Sequence, residues 1–166
     1  MPRPRSLPDV TVLAQVRSLL ALGGEKAVSF STVAQATGLA PATLAGRYGS
    51  IPAMIQAAAL DALTQSLAAL ARAEAEAPDK GAHSVLKSLG AAGPDAASLA
   101  ILLRSETGRA ELASYRQAVL AALTRRLGPK SQQHAATLFA AWSGAALWSP
   151  VAPQPFRLKD LARKLG

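Results

Sequence analysis

Apolar residues recur every three to four positions along most of the chain, the spacing that places them on one face of an α-helix. Glycine and proline residues interrupt this periodicity, as residues that end and begin helices do. The proline-rich residues 150–155 are expected to form a turn or linker. The pattern predicts helices over residues 8–22, 30–37, 41–48, 53–77, 82–92, 95–105, 109–127, 132–148 and 158–165.

The composition agrees with a helical fold. The chain has 166 residues, of which half are hydrophobic and only 4% are aromatic. Alanine and leucine dominate the apolar runs, and both have high helix propensity, whereas strands favour β-branched and aromatic residues. We therefore expect an all-α protein, long enough for a small N-terminal unit that shares its core with a helical body.

Residues 29–48 carry the signals of two short helices joined by a tight turn. Ser29 is a suitable N-cap for the first helix. Gly38 ends that helix, because glycine readily adopts the left-handed conformation found there. Pro41 suits the first position of the next helix, in which Leu44 and Tyr48 lie one turn apart and face the preceding helix. Two short helices in this arrangement form a helix-turn-helix unit.

Positive charge is concentrated at the two ends of the chain, whose formal net charge is +8. Residues 1–50 contribute +3 and residues 121–166 contribute +6, whereas residues 51–120 contribute −1. This distribution suits an anionic partner, but basic surfaces are common and the charge alone is weak support.

Several function classes find no support in the sequence. The chain has no cysteine, and its two histidines, His83 and His134, are far apart, so disulfides and a metal site are not expected. No Ser/His/Asp arrangement, glycine-rich phosphate loop or credible carboxylate pair is visible, so we expect neither an enzyme nor a bound cofactor. Residues 135–148, the longest apolar stretch, fall short of the ~20 residues that a membrane-spanning helix needs. No secretory signal is visible either, so a soluble, cytoplasmic protein without a membrane partner is expected.

The N-terminal unit closely resembles the head of the TetR (tetracycline-repressor-like) family. The matching residues are Gly24, Ser29, Val33-Ala34, Gly38-Leu39, Thr43-Leu44 and Tyr48, which fall at the family's offsets without a gap. Weaker similarity continues through residues 102–112 and 138–147, where Gly144 matches a glycine common in the family's late helices. The resemblance covers nearly the whole chain, strongly up to about residue 60 and in outline afterwards.

This resemblance implies a homodimeric DNA-binding transcriptional regulator, expected to be a repressor that a small apolar effector releases. Residues 1–52 would form a head of three helices that contains the helix-turn-helix, and residues 53–166 a helical bundle for dimerisation and ligand binding. The second helix of each unit would lie in a major groove of double-stranded DNA, with half-sites one helical turn or a multiple of it apart.

The resemblance also places the DNA-contacting residues around the second helix of the unit. Pro41 and Ala42, the first two residues of this helix, offer contacts only to thymine methyl groups. Arg3 and Arg5 are candidates for a flexible arm that reaches the minor groove or phosphates. Alternatively, they belong to a solvated terminus that contacts no DNA. The full candidate set is Arg3, Arg5, Thr32, Pro41, Ala42, Thr43, Arg47 and Tyr48.

Three departures from the family pattern weaken the expected grip on DNA. Ala40 replaces a capping serine, at a cost of roughly 1 kcal/mol in helix stability. Ala45 replaces a tyrosine and Ile51 a lysine, both of which contact phosphate in the family. The alternative hypothesis is a TetR-like interaction or small-molecule-binding protein whose head no longer binds DNA.

The helical body holds candidates for two further roles. A ligand pocket would involve Leu102, Glu106, Tyr115 and Trp142, with Glu106 facing either an effector or Arg109. The candidate dimer interface, where aromatic residues are enriched, comprises Tyr115, Val119, Leu138, Trp142, Gly144, Ala145 and Trp148. Residues 156–165 alternate leucines with basic residues, and we expect this helix to dock its leucines on the body. A membrane-surface or anion-binding helix has the same pattern.

Overall fold

The computed structural model describes residues 7–76, 81–128, 131–148, 151 and 157–165, without the side chains of residues 91 and 92. All regular secondary structure in these residues is helical, which confirms the predicted all-α class. A single 3-10 turn, Glu25–Ala27, follows the first helix. The α-helices are α1 Asp9–Gly23, α2 Phe30–Thr37, α3 Pro41–Tyr48, α4 Ile51–Glu76, α5 Ala82–Ala92, α6 Ala96–Leu103, α7 Glu106–Leu127, α8 Gln132–Trp148 and α9 Leu158–Leu165.

The start of α4 differs from the prediction. The helix begins at Ile51, two residues before its predicted start at residue 53. Pro52 is tolerated there because the first turn of a helix does not need its missing N–H. Ser50 also accepts a hydrogen bond from the Ala53 N–H through Oγ, at 3.2 Å, and so caps the helix. The expected division of the chain at residue 52 therefore falls inside α4.

The described chain forms two compact units, and the first comprises the residues up to Ala62 together with Ala96–Arg109. Side chains from five helices build its core. The largest fully buried members are Val12 and Val16 of α1, Val33 of α2, Leu44 of α3, Met54 of α4 and Leu102 of α6.

Polar contacts fix the helices of the first unit at its edges. Arg17 of α1 forms an ion pair with Asp61 of α4, and both side chains are largely buried. Gln56 of α4 donates to the Ser105 hydroxyl at 3.3 Å. These contacts hold α1 and the residues after α6 against the first half of α4.

The junction of α6 and α7 requires a glycine. A Cβ atom at Gly108 would lie 2.2 Å from the carbonyl oxygen of Leu102, closer than any real contact. The Ser105 hydroxyl accepts the Gly108 N–H at 3.0 Å and caps α7. This packing lets α7 start at Glu106, three residues before the predicted start at residue 109.

The second unit comprises Leu63–Asp95 and the described residues from Ala110 onward. Its core holds the fully buried Val85, Leu86, Leu89, Val119, Leu123 and Leu138. A buried polar pair lies within it, in which the Ser66 hydroxyl donates to the Tyr115 hydroxyl at 3.1 Å. Burial raises the pKa of Tyr115 above its ordinary value.

The C-terminal helix α9 is docked in the second unit, where it contacts α5 and α8. Ala162 is buried, and the three leucines of the helix are half-buried. Arg157, Lys159, Arg163 and Lys164 are exposed. The expectation that this helix docks its apolar face and presents its charges to solvent is confirmed.

Among the described helices, α4 alone is long and apolar enough to cross a membrane by length and composition. Half of its most apolar window is buried inside the protein. A core helix of a soluble protein has the same properties, so this feature by itself is weak support for a membrane span.

Candidate nucleic-acid interface

The start of α2 is fixed by a reciprocal cap between Ser29 and Thr32. The Ser29 hydroxyl accepts the Thr32 N–H at 3.0 Å, and the Thr32 hydroxyl accepts the Ser29 N–H at 2.9 Å. The Thr32 hydroxyl also donates to the carbonyl of Ala27 at 2.9 Å. The predicted N-cap at Ser29 is confirmed. Thr32, a predicted DNA contact, has its hydroxyl engaged within this cap.

The turn between α2 and α3 depends on Gly38, as predicted. Its backbone is left-handed, with φ 71° and ψ 11°, and its N–H donates to the carbonyl of Ala34 at 2.8 Å. This conformation is strained for residues that carry a Cβ atom. Val33 and Leu44 on either side of the turn are fully buried, so the turn joins two helices that share one core.

The first turn of α3 presents an exposed surface of short side chains. Pro41 occupies the first helical position, and Ala40 before it makes no side-chain cap. Pro41, Ala42 and Thr43 are all exposed, whereas the next residue, Leu44, is fully buried. The helix is thus anchored by one leucine while its opening residues face outward. We call these three residues the α3 face.

The last turn of α3 is tied to the start of α1. Arg47 donates through Nη1 to the carbonyl of Leu7 at 2.8 Å and to Asp9 Oδ1 at 3.3 Å. The Tyr48 hydroxyl donates to the same Asp9 oxygen at 2.8 Å. Sequence reasoning placed Arg47 and Tyr48 at the DNA boundary but did not identify Asp9 as their partner. The only signal for Asp9 was its position in the first turn of α1.

Partial burial, the hydrogen bond to Asp9 and the negative charge of that carboxylate raise the pKa of Tyr48 to about 12. A phenolate is disfavoured beside a carboxylate, so Tyr48 acts as a neutral hydrogen-bond donor at neutral pH. The nearby guanidinium of Arg47 opposes this shift but does not cancel it.

Acidic residues neutralise much of the positive charge in the described part of the first unit. Arg17 pairs with Asp61, Arg47 with Asp9, and Arg104 with Glu25 at 2.5 Å. Lys26 has no ion-pair partner among the described residues of this unit. Arg3 and Arg5, the predicted arm, lie outside the described residues. The α3 face itself carries no charged side chain.

The residues predicted for a ligand pocket belong to different units. In the first unit, Leu102 is fully buried and Glu106 is exposed. The expected partner of Glu106, Arg109, instead donates to the carbonyl of Leu103 at 3.1 Å. In the second unit, Tyr115 is buried, and Trp142 packs on Phe139 with ring centroids 5.9 Å apart. Their role in ligand binding stays a prediction.

The residues predicted for the dimer interface divide into buried and accessible ones. Tyr115, Val119 and Leu138 are buried in the second unit by the chain's own packing, so they present no surface to a partner. Gly144 and Ala145 are half-buried. Trp148, at the end of α8, is 60% exposed, and the other large exposed apolar residues there are Leu147 and Val151.

Within the described residues, no group of three or more His, Cys, Asp or Glu side chains is arranged to hold a metal ion. The α3 face offers a threonine hydroxyl and small apolar groups. Such groups contact nucleic acid through base edges and phosphates without covalent chemistry.

Most of the chain is similar in fold to a transcriptional regulator of known structure. The crystal structure of PfmR, a TetR family transcriptional regulator from Thermus thermophilus, matches it with a TM-score of 0.58. The match covers 92% of this chain and 93% of that chain at 20% sequence identity, which establishes a likeness of fold. No protein-family model and no curated protein matches the sequence. The predicted TetR-like fold is confirmed.

Proposed function

We propose that this protein is a DNA-binding transcriptional regulator that uses α3 as its recognition helix. The observation that carries the proposal is the α3 face, three exposed residues held outward by the fully buried Leu44. Helix-turn-helix proteins meet the major groove with the N-terminal residues of the second helix. The likeness in fold to a solved transcriptional regulator supports the same class of function.

In this proposal the α3 face approaches the base edges. Pro41 and Ala42 contact thymine methyl groups, and the Thr43 hydroxyl hydrogen-bonds to a phosphate. Because Ala40 provides no side-chain cap, the N–H of Ala42 at the start of α3 is available to a phosphate oxygen. Backbone contacts of this kind would partly offset the phosphate contacts that Ala45 and Ile51 cannot make.

We further propose that the regulator acts as a homodimer through the end of α8. Exposed apolar side chains that lie close together mark interaction surfaces, and Leu147 and Trp148 are more than half exposed. Gly144 and Ala145, on the same helix, have no long side chains and would let a partner helix approach closely. A two-fold dimer presents two recognition helices and so doubles the DNA contacts.

We further propose that the regulator represses, that a small apolar effector releases it, that it acts in the cytoplasm and that it catalyses no reaction. The fold likeness to a transcriptional regulator supports the class of function to which these properties belong.

Selection of bound duplexes from random DNA, followed by fluorescence anisotropy on the selected sequence, tests the main proposal. We expect saturable binding whose log affinity falls linearly with log salt concentration, because bound phosphates release counterions. A protein that selects no sequence and shows no salt-dependent binding at moderate ionic strength contradicts the proposal.

A second candidate function is favoured by the contacts of Asp9. This carboxylate engages both Arg47 and Tyr48, two of the predicted DNA-contacting side chains. A protein of this fold whose head no longer binds DNA would act by binding another protein or a small molecule.

The double variant Ala45→Tyr/Ile51→Lys separates the two candidates, because it restores the two phosphate-contacting residue types expected at these positions. If the head has lost DNA binding, the double variant gains an affinity that the parent lacks. If the protein is a working regulator, the variant strengthens an affinity that already exists. Leu103→Lys adds one charge at another exposed position of the first unit and controls for nonspecific attraction.

A further inference from the structure

An open groove of about 730 Å³ lies within the second unit, between the start of α5, the end of α7 and α9. No residue predicted for the ligand pocket lines it. Its apolar wall is formed by Ala82, Leu127 and Ala162. Its polar lining consists of His83, Ser84, Arg126, Lys159, Asp160 and Arg163.

Basic side chains from two helices line the groove. Arg126 of α7 and Lys159 and Arg163 of α9 surround it, and Asp160 is the one carboxylate among the described residues that line it. Asp160 lies 3.5 Å from Arg163, and this pair is exposed and one helical turn apart, so its attraction is weak. Lys159 has no ion-pair partner among the described residues. Charges of one sign around a concave surface focus the electrostatic field and attract an ion of the opposite sign.

We propose that this groove binds a small organic phosphate. Its volume lies in the range of about 300–1,000 Å³ that is typical of small-molecule sites. Arginine and lysine side chains bind phosphate through charge-assisted hydrogen bonds. The alanine and leucine wall accommodates the organic part of the ligand, and Asp160 accepts a hydrogen bond from one of its hydroxyl groups.

A small ligand fits this site better than a nucleic-acid duplex. The cations line a concave groove around an apolar wall, whereas a duplex backbone is bound by cations spread along an extended surface. The proposal does not depend on DNA binding by α3, because the groove belongs to the second unit and is tested without DNA.

Isothermal titration calorimetry with adenosine 5′-monophosphate, adenosine and inorganic phosphate tests the proposal on the full chain. We expect saturable binding of the nucleotide and none of adenosine at the same concentrations. Lys159→Gln/Arg163→Gln should weaken nucleotide binding by about tenfold or more, since it removes two charge-assisted contacts. Lys87→Gln/Arg116→Gln is the matched control, because it removes two exposed charges of the same unit outside the groove lining. It should change the affinity by less than about twofold.

Circular dichroism melting of both double variants checks that each remains folded. Binding of inorganic phosphate with the same dependence on the variants also supports the site and assigns recognition to the anion itself. Equal losses in both double variants, equal binding of adenosine, or no saturable binding to millimolar concentration overturn the proposal. So does an effect of the groove variant on duplex binding alone, since this assigns the groove to nucleic acid.

Discussion

The guanidinium of Arg47 at the end of α3 lies 3.3 Å from the carboxylate of Asp9 in the first turn of α1. The Leu7 carbonyl accepts a second hydrogen bond from the same nitrogen, at 2.8 Å. In a DNA-binding protein this arginine would be a candidate phosphate contact, so Asp9 and a phosphate would compete for it. The carboxylate therefore orients the last turn of α3 and at the same time lowers the positive potential around it.

Asp9→Asn is expected to strengthen DNA binding several-fold at low salt, because the change removes a negative charge from the proposed interface. The salt dependence should steepen by about one phosphate contact if Arg47 then reaches the backbone. Fluorescence anisotropy over a series of salt concentrations measures both effects. Glu25→Gln removes the carboxylate paired with Arg104, also in the first unit, and serves as control. Equal gains in the two variants would mean that only net charge matters.

Substitutions at the two N-cap positions of the helix-turn-helix, Ser29 and Ala40, are expected to change stability in opposite directions. Ser29→Ala removes a side-chain acceptor and should lower the free energy of unfolding by about 1 kcal/mol. Ala40 already has the extended backbone of an N-cap, with φ −72° and ψ 141°, so Ala40→Ser should raise it by about the same amount. Urea unfolding curves measure both changes. A neutral or destabilising Ala40→Ser would show that the start of α3 is satisfied in another way.

The raised pKa of Tyr48 predicts a loss of folding stability at alkaline pH. Its pKa of about 12 exceeds the ordinary 10.0, chiefly because of burial and then because of Asp9. A raised folded-state pKa gives stability that is complete below the unfolded value and is lost as the pH rises through the folded value. Tyr48 should therefore reduce the stability of the fold between pH 10 and about 12. The matched Tyr48→Phe variant, which cannot ionise there, should lose less.

Spectrophotometric titration of tyrosinate checks this prediction directly. The component that Tyr48→Phe removes should titrate well above pH 10, and Asp9→Asn should move it toward the ordinary value without reaching it, because the burial remains. Titration of that component at the ordinary pKa in the folded protein would contradict both the partial burial of Tyr48 and its contact with Asp9.

The proposed dimer predicts that Trp148→Glu produces monomers. Trp148 is 60% exposed, so a charge at this position costs little in the isolated chain but would be desolvated in an interface. Sedimentation velocity at micromolar concentration measures the shift. Leu22→Glu, at an 85% exposed position of the first unit, is the control and should leave the oligomeric state unchanged. A monomeric parent protein contradicts the dimer proposal outright.

Local signals explain why the helix-turn-helix could be predicted from the sequence. Ser29, Gly38 and Pro41 each act on their own backbone or on residues within one helical turn, so their effect is readable without knowledge of the tertiary fold. The α3 bounds, the left-handed turn and the buried Leu44 followed from these signals.

Features that depend on distant residues could not be predicted in this way. Asp9 and Arg47 are far apart in sequence, and no periodicity links them. The close approach of the Leu102 backbone, which leaves no space for a Cβ atom at Gly108, is likewise set by the tertiary fold, and the predicted helix started after this residue, at 109. The sequence pattern placed Tyr115, Val119 and Leu138 in a candidate dimer interface. It could not show that the chain's own packing would cover them.

A charge placed on the α3 face shows whether this surface meets DNA. Ala42→Asp places a negative charge in the first turn of α3, where it favours the helix because it lies near the positive end of the dipole. The variant should therefore remain folded, yet its affinity for the selected duplex should fall by about tenfold or more through repulsion from phosphate. Ala100→Asp, at an exposed position of α6, should bind within about twofold of the parent. A folded Ala42→Asp variant that binds the duplex as tightly as the parent would show that the α3 face does not meet DNA.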